Sequence, residues 1–306
     1  MSEFDLSGAA ETTTRDPYEL LQIFESAEDL PTLPEIAVRL QEVVDDPHSD
    51  AKDVAKIIQD DPAIATKVLK VVNSVFYAPR GCKAITELQP AVARLGFVAV
   101  VNIVLSTSVF QAFGRVQQPV FDRREFWRHS VCVGIAASVL HDYIRTKEDR
   151  PISRDAVHLA GIVHDMGKIL FERYANPEFH RAIENAREHD LSALKEERRF
   201  LGFGHDEAGG WLAEKWKIDP GIQAVVRWHH DPFSCPDEEF CRLVKVVHMA
   251  DYLCHSQALG DSGNPNPMYD ERLRDELQLT EKRIMELMEL VEVEAANSEI
   301  LLSLAE

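Results

Sequence analysis

The segment AVHLAGIVHDMGKIL (Ala156 to Leu170) is apolar except for His158, His164, Asp165 and Lys168. A carboxylate buried in such a helix is costly unless it is paired, protonated or bound to a metal. Asp251 meets the same difficulty among Val246, Val247, Met249 and Leu253 in VKVVHMADYLC, and His129 meets it in FWRHSVCVGIAASVL. Three apolar helices that each turn an acid or an imidazole inward can converge on one ion, which answers all three desolvation problems together. His205 in GFGHDEAGG and His229-His230 in VVRWHHD add donors of the same kind, and Glu125 stands four residues before His129, on the same helix face.

The candidate ligands are therefore Glu125, His129, His164, Asp165, His205, His229, His230 and Asp251. Imidazole and carboxylate without thiolate suit a divalent transition metal such as iron, manganese, nickel or zinc, and disfavour a closed structural zinc site. This pool exceeds the needs of one ion. Two or three ions sharing a carboxylate would use it, with Asp165 as the natural bridge. Lys168, one turn past Asp165, is placed to steady the charge of a bound phosphate. His158 and His248 read as ordinary helix-face residues, and His48, His141, His180, His189 and His255 are assigned no role. Asn73 reads as a helix stop.

These residues need helices to position them, and the periodicity supplies helices throughout, so the fold class is all-α. Apolar residues recur at helical spacing from Leu20 through Val72, with Ser49 and Asp50 as caps and Pro62 in a first turn. Ala91 to Phe113 completes a front lobe. Further helices are expected at 122–144, 153–174, 177–190, 191–200, 205–216, 219–229 and 238–256, then a loop over 260–270 and one or two closing helices over 271–304. Residues 1–16 read as a mobile leader, 17–115 as the front lobe and 116–306 as the metal-binding lobe, with a linker at Gly114 to Val120. No run alternates long enough to demand a sheet.

With 52 acidic against 33 basic residues the net charge is −19, which opposes binding to nucleic acid or an anionic membrane. A small phosphate ligand needs only one local positive site. Five scattered cysteines (Cys82, Cys132, Cys235, Cys241, Cys254) without a CxxC pair suit a reduced, cytoplasmic protein. The longest apolar run, Phe97 to Leu105, is too short to span a bilayer, and the first twenty residues hold no apolar signal region.

His129, then His164-Asp165, then Asp251 resemble the H…HD…D signature of HD-superfamily phosphohydrolases. HDMGK (164–168), His205 with Gly209, and His229-His230 resemble the extended pattern of the HD-GYP branch, which binds two or three ions and opens cyclic di-GMP. The front half, in LPTLPEIAVRLQEVV, DDPAIATKVLKVVNSVFY and ITELQPAVARLGFVAVVNIVLS, is similar to the HDOD family, the HD-related output domain of bacterial signalling. That resemblance spans roughly residues 17–256. Two departures accompany it. The Gly-Tyr-Pro segment is missing, since DPFSCPDEEF follows His230, which points away from cyclic di-GMP. HDOD members commonly lack the metal ligands, whereas a full candidate set stands here. The resemblance implies a signalling module whose metal site holds a phosphate-containing ligand or nucleotide, with a signalling protein as a further partner. Its rivals are a working metal-dependent phosphohydrolase, with Asp165 and Lys168 catalytic, and a purely structural interaction module.

Overall fold

A computed structural model describes residues 35–46, 48–73, 83–97, 119–144 and 153–297, with isolated positions at 22, 24, 99–101, 103, 104 and 107. The expected leader, most of the expected linker and the final residues 298–306 lie outside the described residues. Among the described residues every regular element is a helix, so the all-α expectation holds. None of these helices is long and apolar enough to cross a membrane.

The front helices are α1 (Glu35–Asp45), α2 (Ala51–Gln59), α3 (Pro62–Val72) and α4 (Leu88–Leu95). Asp50 starts α2 through a reciprocal cap: its carboxylate accepts from the Lys52 and Asp53 amides, and Asp53 accepts from the Asp50 amide at 2.9 Å. Asn73 closes α3. Its amide donates to the Leu69 and Ile85 carbonyls and its oxygen accepts from the Ile85 amide, which staples the chain entering α4 to the end of α3. Its role is structural.

The rear helices are α5 (Arg123–Tyr143), α6 (Arg154–Val163), α7 (Met166–Tyr174), α8 (Asn176–His189), α9 (Ala193–Leu201), α10 (His205–Lys215), α11 (Pro220–Trp228), α12 (Glu238–Ser256), α13 (Arg272–Glu276) and α14 (Glu281–Asn297). Asp122, Ser153, Asp219 and Asp237 cap α5, α6, α11 and α12. The helix expected over 153–174 is two helices, because the chain leaves helical geometry at Asp165 (φ −93°, ψ 12°). His164 contributes to that break: its ring takes up the Gly161 carbonyl at 2.7 Å, the group to which a continuous helix would offer the Asp165 amide.

Phe24, which precedes the front helices in sequence, is fully buried among rings of the rear helices. Its centroid lies 5.8 Å from Trp211, 5.9 Å from Tyr174, 6.2 Å from Phe203 and 6.4 Å from Phe171.

Candidate metal centre

The corner between α6 and α7 points His164 and Asp165 into the middle of the rear helices, where α5 brings His129, the start of α10 brings His205, and α12 brings Asp251. His229 and His230 follow directly on α11. All seven side chains are buried. The approach of α7 to α10 depends on Gly167, where a Cβ atom would lie 1.9 Å from the His205 carbonyl oxygen. Only a residue without a side chain lets Asp165 and His205 come this close.

Two carboxylates act as hubs. Asp251 Oδ1 lies 3.0 Å from His129 Nε2, 3.5 Å from His164 Nε2 and 3.4 Å from His255 Nε2. Asp165 Oδ1 lies 3.0 Å from His205 Nε2 and 3.7 Å from His229 Nε2, while its Oδ2 lies 3.5 Å from His164 Nε2. His230 Nε2 is 2.8 Å from His205 Nε2. His164 thus stands between the hubs. Donor atoms of Asp165, His205, His229 and His230 fall within 4.8 Å of one another, as do those of His129, His164 and Asp165 and those of His129, Asp251 and His255.

The outer ring nitrogens fix the tautomers. Nδ1 of His164 donates to the Gly161 carbonyl, and Nδ1 of His229 faces the Val225 and Val226 carbonyls at 3.1 Å. Nδ1 of His205 donates to Glu197 Oε2 at 2.6 Å, and that carboxylate also accepts the His205 amide at 2.8 Å. A carbonyl cannot donate, so neutral His164 and His229 present an Nε2 lone pair inward, the arrangement that ligating imidazoles take. Nε2 of both residues and Asp165 Oδ1 are buried without a hydrogen-bond partner of good geometry. Orphaned lone pairs converging on a carboxylate oxygen fit a cation, and imidazole with carboxylate fits a divalent transition metal.

The electrostatics agree. Burial opposes charge on Asp165 and Asp251, yet Lys168 and His164 beside the first, and His255, His129 and His164 around the second, hold both acids well below the usual carboxylate range. Without an ion the balance falls on imidazole protons: against burial, Asp165 and Asp251 push His164 up to about 10, and Glu197 with Asp165 pushes His205 up to about 9. Burial and the neighbouring rings hold His230 well below its ordinary value, and burial takes His255 down to about 4.

Lys168 is buried, at 1% exposure, and donates to Asp165 Oδ2 at 2.6 Å and to Ser262 Oγ at 3.1 Å. Glu125 is not brought into the cluster. Its half-buried carboxylate turns to Arg128 at 3.6 Å, one turn outward of His129, although both lie on one helix. Three participants went unread in the sequence. His255 stands four residues after Asp251, a spacing that could have flagged it. Glu197 lies in LKEERRF, a run that reads as solvated surface, and Ser262 lies in a loop. His248, read as a helix-face residue, donates Nδ1–H to the His229 carbonyl at 2.5 Å and so steadies that residue's backbone. His230 also lines a cavity of about 470 Å³, shared with Arg198, Arg227, Trp228, Tyr269 and Asp270 among others.

Comparison with known proteins agrees with this architecture. An uncharacterised protein of Treponema pallidum (strain Nichols) is 27% identical over 235 residues, which are 74% of this chain and 42% of that protein; the chain spans less than half of that relative's length. Among solved structures, an HDOD domain protein of unknown function from Geobacter sulfurreducens matches with a TM-score of 0.71 at 23% identity, covering 93% of this chain and 95% of that one. A proposed signal transduction protein from Marinobacter aquaeolei matches at 0.75 and 20% identity, covering 94% and 65%. A proposed metal-dependent phosphohydrolase from Shewanella amazonensis matches at 0.60 and 24% identity, covering 91% and 98%. At these identities the likeness is one of fold. Residues 30–232, well over half of the chain, match the HDOD domain, and the chain belongs to that family.

Proposed function

We propose that the chain is a signalling protein whose buried centre holds two divalent transition-metal ions and, through them, a small phosphate-containing ligand. The observation that carries this reading is the pair of buried carboxylates, Asp165 and Asp251, each ringed by imidazole Nε2 atoms, with His164 between them. Asp165, His205, His229 and His230 would hold one ion, and His129, His164 and Asp251 the other, with Asp165 bridging. Bound divalent ions would polarise phosphoryl oxygens and lower the pKa of water.

The protein's own groups would do the rest. Lys168 neutralises the Asp165 oxygen that faces it and keeps the bridging carboxylate ionised. Glu197 orients His205, and backbone carbonyls orient His164 and His229. The cavity beside His230 is lined by Asp206, Asp231, Asp270 and Glu271 as well as Arg198 and Arg227, so the ions would carry the phosphate charge; Arg227, loosely paired with Glu207 at 4.0 Å, would meet a phosphate oxygen, and Trp228 and Tyr269 would face the ligand's organic part. Hydrolysis of that ligand is the second reading, favoured by the near-complete set of donors; a signalling partner protein would then read the ligand state.

The test begins with elemental analysis of protein purified without oxygen, then calorimetry of inorganic phosphate and of nucleoside monophosphates with loaded and chelator-stripped protein. Metal below about a fifth of an ion per chain, or phosphate binding indifferent to stripping, would remove the reading. Turnover above the stripped control would select the hydrolase, and binding without turnover the sensor.

A further inference from the structure

The cluster has two ends, and they differ. At the His230 end it borders the open cavity. At the other end the loop after α12 folds back over it. Gly260 (φ 81°) lies so close to α5 that a Cβ atom there would stand 2.3 Å from the His129 amide nitrogen and 2.5 Å from the Glu125 carbonyl oxygen. Asp261 fastens the contact by donating its amide to that same Glu125 carbonyl at 3.1 Å. The next residue, Ser262, is completely buried and touches both Lys168 Nζ at 3.1 Å and His255 Nε2 at 3.3 Å.

This roof fixes His255. Its ring lies against that of His129 (centroids 4.5 Å apart), and its Nε2 looks at Asp251 Oδ1 from 3.4 Å. Three donor atoms, from His129, Asp251 and His255, fall within 4.8 Å of one another. His129 has one inward nitrogen, which can serve one ion at a time. Glu125, the acid one turn before it, is turned away to Arg128 and leaves the position open.

We propose that His255 is a metal ligand, which with His129 and Asp251 holds an ion at the roofed end of the cluster. This rests on the metal reading above and refines it. The roofed ion takes donors from His129, Asp251 and His255, with the Ser262 hydroxyl beside the same His255 Nε2 and free to turn its proton away, so its role is to fix Asp251, His164 and the loop in place. The ion held by Asp165, His205, His229 and His230 is the one that the cavity reaches, so it takes the phosphate ligand.

The test uses the full chain stripped by chelator and titrated with cobalt(II), in three forms: wild type, His255→Phe and His255→Cys. Wild type should bind two cobalt ions. His255→Phe fills the space without a donor and should bind one normally, with the second weakened at least about tenfold; the retained ion shows that this variant is folded. His255→Cys should bind both and gain a thiolate-to-cobalt charge-transfer band in the near ultraviolet that wild type, with Cys132 and Cys254 nearby, does not show. Two ions of unchanged affinity in His255→Phe, or a loaded His255→Cys without the band, overturns the assignment of His255 while the metal centre stands. A wild type that binds no cobalt overturns both.

Discussion

The Lys168 ammonium donates to Asp165 Oδ2 at 2.6 Å, and neither side chain is more than 2% exposed. An ion pair this deep would cost more in desolvation than it returns if it stood alone. It does not stand alone: Asp165 also faces three imidazoles and Lys168 also meets Ser262, so the pair is one part of a larger buried polar network.

Lys168→Met should therefore destabilise the stripped protein by about 3–5 kcal/mol, the usual consequence of leaving one half of a buried pair. Loading with metal should recover much of that loss, because the ion supplies the missing charge. Urea denaturation with and without metal measures both. An equal loss in the two states would mean that the lysine serves packing rather than the charge of the centre.

Asp165→Asn should weaken metal-dependent stabilisation, because the ion beside His205 and His229 loses its carboxylate. In wild type, metal at a hundred times its dissociation constant should add about 2.7 kcal/mol, and a chelator should lower the melting temperature accordingly. The variant should keep only the smaller shift that an ion on His129, Asp251 and His255 provides. A shift as large as in wild type would exclude Asp165 as a ligand.

Gly167→Ala tests the helix crossing. The added methyl group would collide with the His205 carbonyl, so α7 and α10 must separate. The expected cost is about 1–3 kcal/mol of stability, together with metal affinity weakened at least about tenfold. Stability lost with affinity unchanged would show that the crossing supports the fold without setting the ligands.

His158 lies outside the cluster and contributes, beside His230 and His255, to the acid limb of stability. Burial holds its pKa near 4, against an ordinary 6.5, so the unfolded chain takes up a proton first as pH falls. Its contribution is complete above about pH 6.5 and is lost on the way down to 4, amounting to about 3 kcal/mol. Stripped His158→Gln, followed by denaturation from pH 7.5 to 4.5, should show a shallower loss than stripped wild type. Parallel profiles would assign the acid limb to other groups.

Most of the cluster was legible because its apolar helices carry polar misfits. His129, His164, Asp165 and Asp251 stand out where only a core should be, and the structure gathers them with His205, His229 and His230. What stayed hidden depends on tertiary packing. Glu197 looks like one charge among many until α9, packed on α8, turns it to His205 at the start of α10 and buries it. The shared helix face gave Glu125 and His129 equal standing, yet depth in the fold separates them by one turn. The break at Asp165 was invisible because apolar periodicity runs unbroken across it; a side chain competing for a backbone carbonyl leaves no trace in such a pattern.

The burial of Phe24 has a consequence for the order in which the chain can assemble. On a ribosome this ring emerges early, but its neighbours Phe171, Tyr174, Phe203 and Trp211 arrive only after the front helices have been made. Until then it is an uncovered hydrophobe, and the rear helices lack one ring of their core. The contact therefore closes a very large loop, which favours its late formation. The burial of Phe24 waits for the rear helices, and a chain stalled before they are made would leave that ring open to association with other copies.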